Sequence, residues 1–135
     1  GSEWWCAGCT DSDAINYNPT ATIDDGSCIN FNTQISGCLS QFIVSGGNMT
    51  LTTKIVNYSP VTITVTGVML LDSNNMLVYS HGLYTELQTN AYWTYQITMP
   101  NDPSFFNQNY QILWQFEYDG NTYQNIYPTN VVGGC

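Results

Sequence analysis

The feature that most constrains this chain is a strict alternation of apolar and polar side chains, repeated in several short stretches. In "MTLTTKIV", Met49, Leu51 and Ile55 fall on one side, and Thr50, Thr52 and Lys54 on the other. "VTITVTG" repeats the pattern, with Val61, Ile63 and Val65 set against threonines. In "YQILWQFEY", Ile112, Trp114, Phe116 and Tyr118 share a face, while Leu113, Gln115 and Glu117 share its opposite. A side-chain period of two belongs to an antiparallel strand with one face buried and the other wet. "YWTYQITM" obeys the same rule, and "CLSQFIVS", "NMLVYS" and "NTYQNIYPTNVV" supply further short strands. Turn-forming residues separate them in "SGGN", "NYSP", "DSNN", "MPNDP" and "DGN". Asp119-Gly120, between Tyr118 and Tyr123, is a hairpin signal. About seven strands in roughly 100 residues, without a helical period, predict an all-β fold: an immunoglobulin-like antiparallel β-sandwich.

The pattern changes near residue 30. Residues 1–30 are rich in Gly, Asp, Asn, Pro and Thr with no sustained period, which is the composition of a loop module. The chain therefore divides into a head module over 1–30 and a sandwich over 31–135. A bond between Cys9 and Cys28 would close a loop of roughly 18 residues, worth about 3 kcal/mol by chain entropy. So short a segment buries little core and needs such a staple. Inside the bracket sit Asp11, Asp13, Asn16, Asn18, Asp24 and Asp25. Crowded carboxylates repel unless a cation or water screens them. Calcium takes oxygen ligands of this kind, and Gly26 would permit a turn that points carbonyls inward. The same residue types also build Asx-turns and helix caps without any metal, and Thr10 or Asp11 could cap a helical turn through "DSDAIN".

The stretch "GCTDSDAINYNPTATIDDGSC", Gly8 to Cys28, resembles a segment that recurs in secreted surface proteins of Bacteroidota-type bacteria. The resemblance covers about a sixth of the chain. It implies a small disulfide-bracketed unit that holds calcium on a larger extracellular protein. By position, the ligands it implies are Asp11, Asn16, Asn18, Asp24 and Asp25, with Asp13 at a variable place. Residues 31–135 are outside it, and their reading rests on alternation alone.

Five cysteines in a small Thr-, Asn- and Tyr-rich chain point to an oxidising, extracellular or cell-surface location. Cys38 opens the first sandwich strand and Cys135 ends the sequence, so the second expected bond joins these two. Cys6 is then left over, available for an intermolecular bridge; a shuffled pairing among Cys6, Cys9 and Cys28 is the alternative. Trp4 and Trp5 lie outside the bracket, where they can plug a neighbour's groove, fold back on the sandwich or stack on sugar. Trp93 and Trp114 read as core. Tyr92, Tyr95, Tyr110 and Tyr123 could pave an exposed sheet face, and His81 in "SHG" reads as an exposed turn residue. Two glycosylation tripeptides occur, Asn48-Met49-Thr50 and Asn57-Tyr58-Ser59. "GSEWW" reads as a mature N-terminus or a cloning remnant.

One Lys and no Arg against ten acidic residues give a formal charge of −9. Nucleic acid and anionic membrane surfaces are poor partners for such a chain, because binding them requires cations to displace counterions. No apolar run is long enough to insert in a membrane. Catalysis is not expected either: oxidised cysteines cannot attack, and Glu3, Glu86 and Glu117 stand in unrelated contexts. The expected function is a non-enzymatic subunit that assembles with copies of itself, head to tail, into a surface filament. The alternative is a carbohydrate-binding or adhesin module of a larger secreted protein, whose partners are glycans.

Overall fold

Each stretch of alternation forms a strand. In a computed structural model, which describes residues 6–105 and 109–129, Met49, Leu51, Thr53 and Ile55 are fully buried, while Thr50, Thr52 and Lys54 on the other face are half-exposed. The elements in chain order are β1 (Ala7–Gly8), β2 (Ile23–Asp24), α1 (Phe31–Gln34), β3 (Ile35–Ser45), β4 (Asn48–Asn57) and β5 (Ile63–Leu71). They continue with β6 (Leu77–Leu87), β7 (Tyr92–Pro100), β8 (Gln111–Tyr118) and β9 (Asn121–Pro128).

Seven of these strands make a sandwich. One sheet has the order β3-β4-β7 and the other β6-β5-β8-β9, all antiparallel. The chain changes sheets after β4, β6 and β7, which is an immunoglobulin-like Greek-key arrangement. Ile112, Trp114 and Phe116 of β8 meet Leu51, Ile55 and Ile97 of the facing sheet in one continuous core. Trp114 is completely buried, and its indole N–H donates to Thr53 Oγ1 at 3.2 Å. That hydroxyl donates in turn to the carbonyl of Cys38 at 3.0 Å, so the polar atoms at the centre are satisfied.

Two hairpin turns follow from the sequence. Asp119 and Gly120 both adopt positive φ, 51° and 78°, as a two-residue turn matched to strand twist requires. Gly46 and Gly47 do the same between β3 and β4, at 60° and 80°.

Tyrosine side chains bridge the two sheets at both sides of the sandwich. On one side β3 and β9 come together: Tyr127 donates to the carbonyl of Ile35 at 2.7 Å, and its ring fills the space that a side chain at Gly37 would need. On the other side Tyr79 of β6 and Tyr95 of β7 share a hydroxyl–hydroxyl bond of 2.7 Å, and His81 stacks on Tyr95 with centroids 4.7 Å apart.

Several sequence expectations change in position. The strand reading from Phe31 gives way to a single helical turn over Phe31–Gln34, because Asn30 caps it, accepting from Asn32 N at 3.2 Å. "NMLVYS" is only the start of β6, which runs on through His81; the histidine is exposed, as expected, but lies in a strand rather than a turn. Of the four tyrosines expected to pave an exposed face, only Tyr92 does so, at 63% exposure. Tyr110 is buried, and Tyr95 and Tyr123 pack half-buried against the core. Asn57 is fully buried, donates to the carbonyls of Val61 and Leu87, and accepts from Ser59, so it cannot serve as a glycosylation acceptor. Asn48 is exposed beside the glycine turn.

Candidate functional site

The head is built on its disulfide. Cys9 and Cys28 are bonded, with Cα atoms 4.8 Å apart, and the bridged Cys9 is buried. The short parallel pair β1–β2 lies against this bridge, and Asn18 N donates to the carbonyl of Cys9 at 2.8 Å. Gly8 passes so close to Asn18 and Ala21 that a Cβ would stand 3.0 Å from the Asn18 amide. Asn16 locks the exit of the loop: its amide donates to the carbonyl of Ser27 at 2.6 Å and its oxygen accepts from Ile29 N at 2.8 Å. Ile29, buried, then carries the chain into the sandwich core. Gln34 ties the junction from the other side, accepting from Asn30 N and donating to the carbonyl of Cys28.

The five expected calcium ligands lie in this loop and are largely committed to turns. Asp11 accepts from Asp13 N at 2.9 Å. Asn18 accepts from the backbone and hydroxyl of Thr20, Asp24 from Gly26 N, and Asp25 from the backbone and hydroxyl of Ser27. The hydroxyl and N–H of Ser27 hold the Asp25 carboxyl below its usual range of about 3.8. Among the described residues no three His, Cys, Asp or Glu side chains converge as a metal-holding group. Asp11, Asp24 and Asp25 keep their second carboxylate oxygens out of these turn bonds, so the donor chemistry suits calcium but the side chains are not gathered into a cage.

Cys6 is a free thiol, half-exposed at the start of the loop, where its backbone N–H and C=O pair with Thr22. Cys38 is engaged in a disulfide; the partner expected for it, Cys135, lies outside the described residues. Trp4, Trp5 and Glu3 lie outside them as well.

A cleft runs between the head and the β8–β9 hairpin. Two hollows, of about 190 and 90 Å³, meet at Ile15 and Tyr123. Asp13 and Ile15 of the loop form one wall, and Tyr118, Asp119, Asn121 and Tyr123 form the other. Ile15 is 45% exposed although apolar. Tyr123 is held from behind, stacked on Phe116 at 5.7 Å and edged by Phe31 at 4.9 Å. Sequence reasoning singled out the Asp119-Gly120 turn as a hairpin but not as a wall of a cleft, because the opposing wall is about 100 positions away in the chain.

Glu86 on β6 and Glu117 on β8 flank Thr64 of the intervening β5 on the larger sheet. They lie exposed on an open sheet surface and line neither hollow.

No protein-family model matches the chain, and no curated protein does. Among solved structures it is similar to Parabacteroides merdae beta-glucuronidase, with a TM-score of 0.53 and 16% identity over 70% of this chain and 13% of that one. The same enzyme with glycerol in its active site gives a TM-score of 0.53 at 13% identity, again over 70% of this chain and 13% of that one. CsgH of R. palustris matches with a TM-score of 0.42 and 12% identity, over 71% of this chain and 93% of that one. The chain thus spans 13% of the length of the glucuronidases it matches, and the likeness is one of fold. The all-β sandwich stands on its own sheet order, and the two glucuronidase matches share that fold.

Proposed function

We propose that the chain is a non-catalytic, extracellular structural subunit that joins copies of itself head to tail into a surface filament. The observation that carries this reading is the edge of β6, which among the described residues pairs with β5 alone. That edge strand is eleven residues long and exposed along most of its length, with Leu77 at 57% and Tyr84 at 77% exposure. It contains no Lys, Arg or Pro, the residues with which soluble proteins commonly blunt an edge. A strand from a second copy can add there through main-chain hydrogen bonds, and such a contact repeats without closing.

Three further features support the reading. The Cys9–Cys28 bond fits an oxidising compartment. The half-exposed thiol of Cys6 can bridge two copies covalently. The resemblance of residues 8–28 to a segment of secreted surface proteins points the same way. Calcium enters as an expectation of that resemblance: millimolar calcium should slow amide exchange in residues 9–28, and equal exchange in calcium and in a chelator removes it from the reading.

Electron microscopy of the purified protein tests the proposal. Filaments are expected, and Val78→Lys with Tyr84→Lys should abolish them without lowering the melting temperature, since both side chains point to solvent. Monodisperse monomers at every concentration, oxidised or reduced, would overturn it.

A further inference from the structure

We propose that the cleft between the disulfide-closed head and the β8–β9 hairpin is a binding site for a neutral saccharide. The proposal goes beyond assembly and does not depend on it. Three separate parts of the chain build the cleft: the loop at Asp13–Ile15, the cap at Asn30–Asn32, and the hairpin from Tyr118 to Tyr123. The larger hollow, about 190 Å³, falls below the roughly 300 Å³ at which sites for drug-sized ligands begin, and suits one or two sugar rings or the end of a glycan chain.

The polar groups there differ from those elsewhere in the head. The side chains of Asp11, Asn18, Asp24 and Asp25 each bond within a turn, and Asn16, which lines the larger hollow, bonds Ser27 and Ile29. The carboxylates of Asp13 and Asp119, the amide of Asn121 and the hydroxyls of Tyr118 and Tyr123 line the cleft without a side-chain hydrogen bond to any described residue. Carboxylates accept from vicinal hydroxyls, an amide both donates and accepts, and a phenol does the same. Apolar surface from Ile15 and the two tyrosines sits among these groups and can cover the C–H face of a sugar ring. Few polar groups set in an apolar wall is the pattern of a small-ligand site. Packing of Tyr123 against Phe116 and Phe31 fixes its ring beforehand, so less ordering is needed on binding.

Charge selects within the class. Among the described residues two carboxylates line the cleft and no cation does; the single Lys54 lies on β4, over the ring of Tyr92. A phosphate, sulfate or uronate would be repelled. A cationic peptide is the competing ligand, and the test separates it.

The experiment is a heteronuclear NMR titration of the full chain with cellohexaose, xylohexaose, maltohexaose and chitotriose, with trilysine as the cationic arm. Saturable shifts are expected for at least one oligosaccharide, centred on Ile15, Asn121 and Tyr123. Asp13→Ala with Asn121→Ala should weaken that binding tenfold or more, with the melting temperature unchanged because neither side chain makes an internal bond. Asp119→Asn should also weaken it, since asparagine keeps the left-handed backbone there. The proposal falls when none of the four sugars shifts the cleft, when the shifts map elsewhere, or when trilysine alone occupies it.

Discussion

Single residues hold this sandwich together at places where sequence pattern is silent. Gly37 lies on β3 where the ring of Tyr127 passes, and an added Cβ would stand 2.5 Å from that ring. Gly37→Ala should therefore cost about 1–3 kcal/mol by overpacking, measured as a shift in the urea midpoint at constant slope. Asn57 is a second such point. Its buried amide joins β4 to the β4–β5 connection and to the end of β6, with bonds of 2.8 Å to Val61 O and 2.9 Å to Leu87 O. Asn57→Ala strands buried carbonyls and should cost roughly 2 kcal/mol or more, read by the same denaturation. As a string of letters, Asn57-Tyr58-Ser59 says surface and glycan. Its tertiary setting says core, because the asparagine has four bonds to make and no solvent to face.

At the scale of elements, the strands were legible because burial of one sheet face writes itself into the sequence at every second position. β4 and β8 show this most plainly: Met49, Leu51 and Ile55 in one, and Ile112, Trp114 and Phe116 in the other, are all fully buried. β6 was only half legible. As an edge strand it buries few side chains, so Ser80, His81 and Gly82 look like a turn even though they pair with β5. The head was legible through its chemistry rather than its period. Its bond between Cys9 and Cys28 is present, and replacing both by alanine should release the loop while leaving the sandwich folded. Hydrogen exchange at Ile15, Asn18 and Asp25, whose N–H groups bond within the head, should then approach the unprotected rate, while β4 and β8 keep their protection. Equal protection in both forms would show that the loop is held by its hydrogen bonds alone.

For the whole molecule, the closing tyrosines give stability a defined response to alkali. Burial raises the phenol of Tyr127 to about 12, and the bond to Tyr79 together with partial burial raises Tyr95 to about 12. The folded state favours both neutral phenols. Their contribution is complete below the ordinary value near 10 and is lost as pH rises from about 10 towards about 12. Melting temperature should fall over that window, and Tyr127→Phe should flatten part of the fall. At the acid end the signs reverse. Ser104 and Tyr110 hold Asp102 below its usual value and Ser27 holds Asp25, so their contributions persist above about 3.8 and fade below it. With a net charge of −9, protonation also relieves repulsion, so the acid loss should be shallower than the alkaline one.

The sequence by itself determined most of the strands, their buried faces and the hairpin at Asp119-Gly120, and it offered the bracket from Cys9 to Cys28 beside a shuffled pairing that the structure decides against. Those properties are local or are written in chemistry that admits few alternatives: a period of two, a turn needing positive φ, thiols in an oxidising setting. Only the tertiary structure decided that Asp13 and Ile15 would face Tyr118 and Tyr123 across a cleft, that Tyr127 would lie over Gly37, and that β6 would stand, among the described residues, at the edge of its sheet. Each of these joins residues far apart in the chain. The loops between them must close before such contacts form, and no periodicity records which ends will meet.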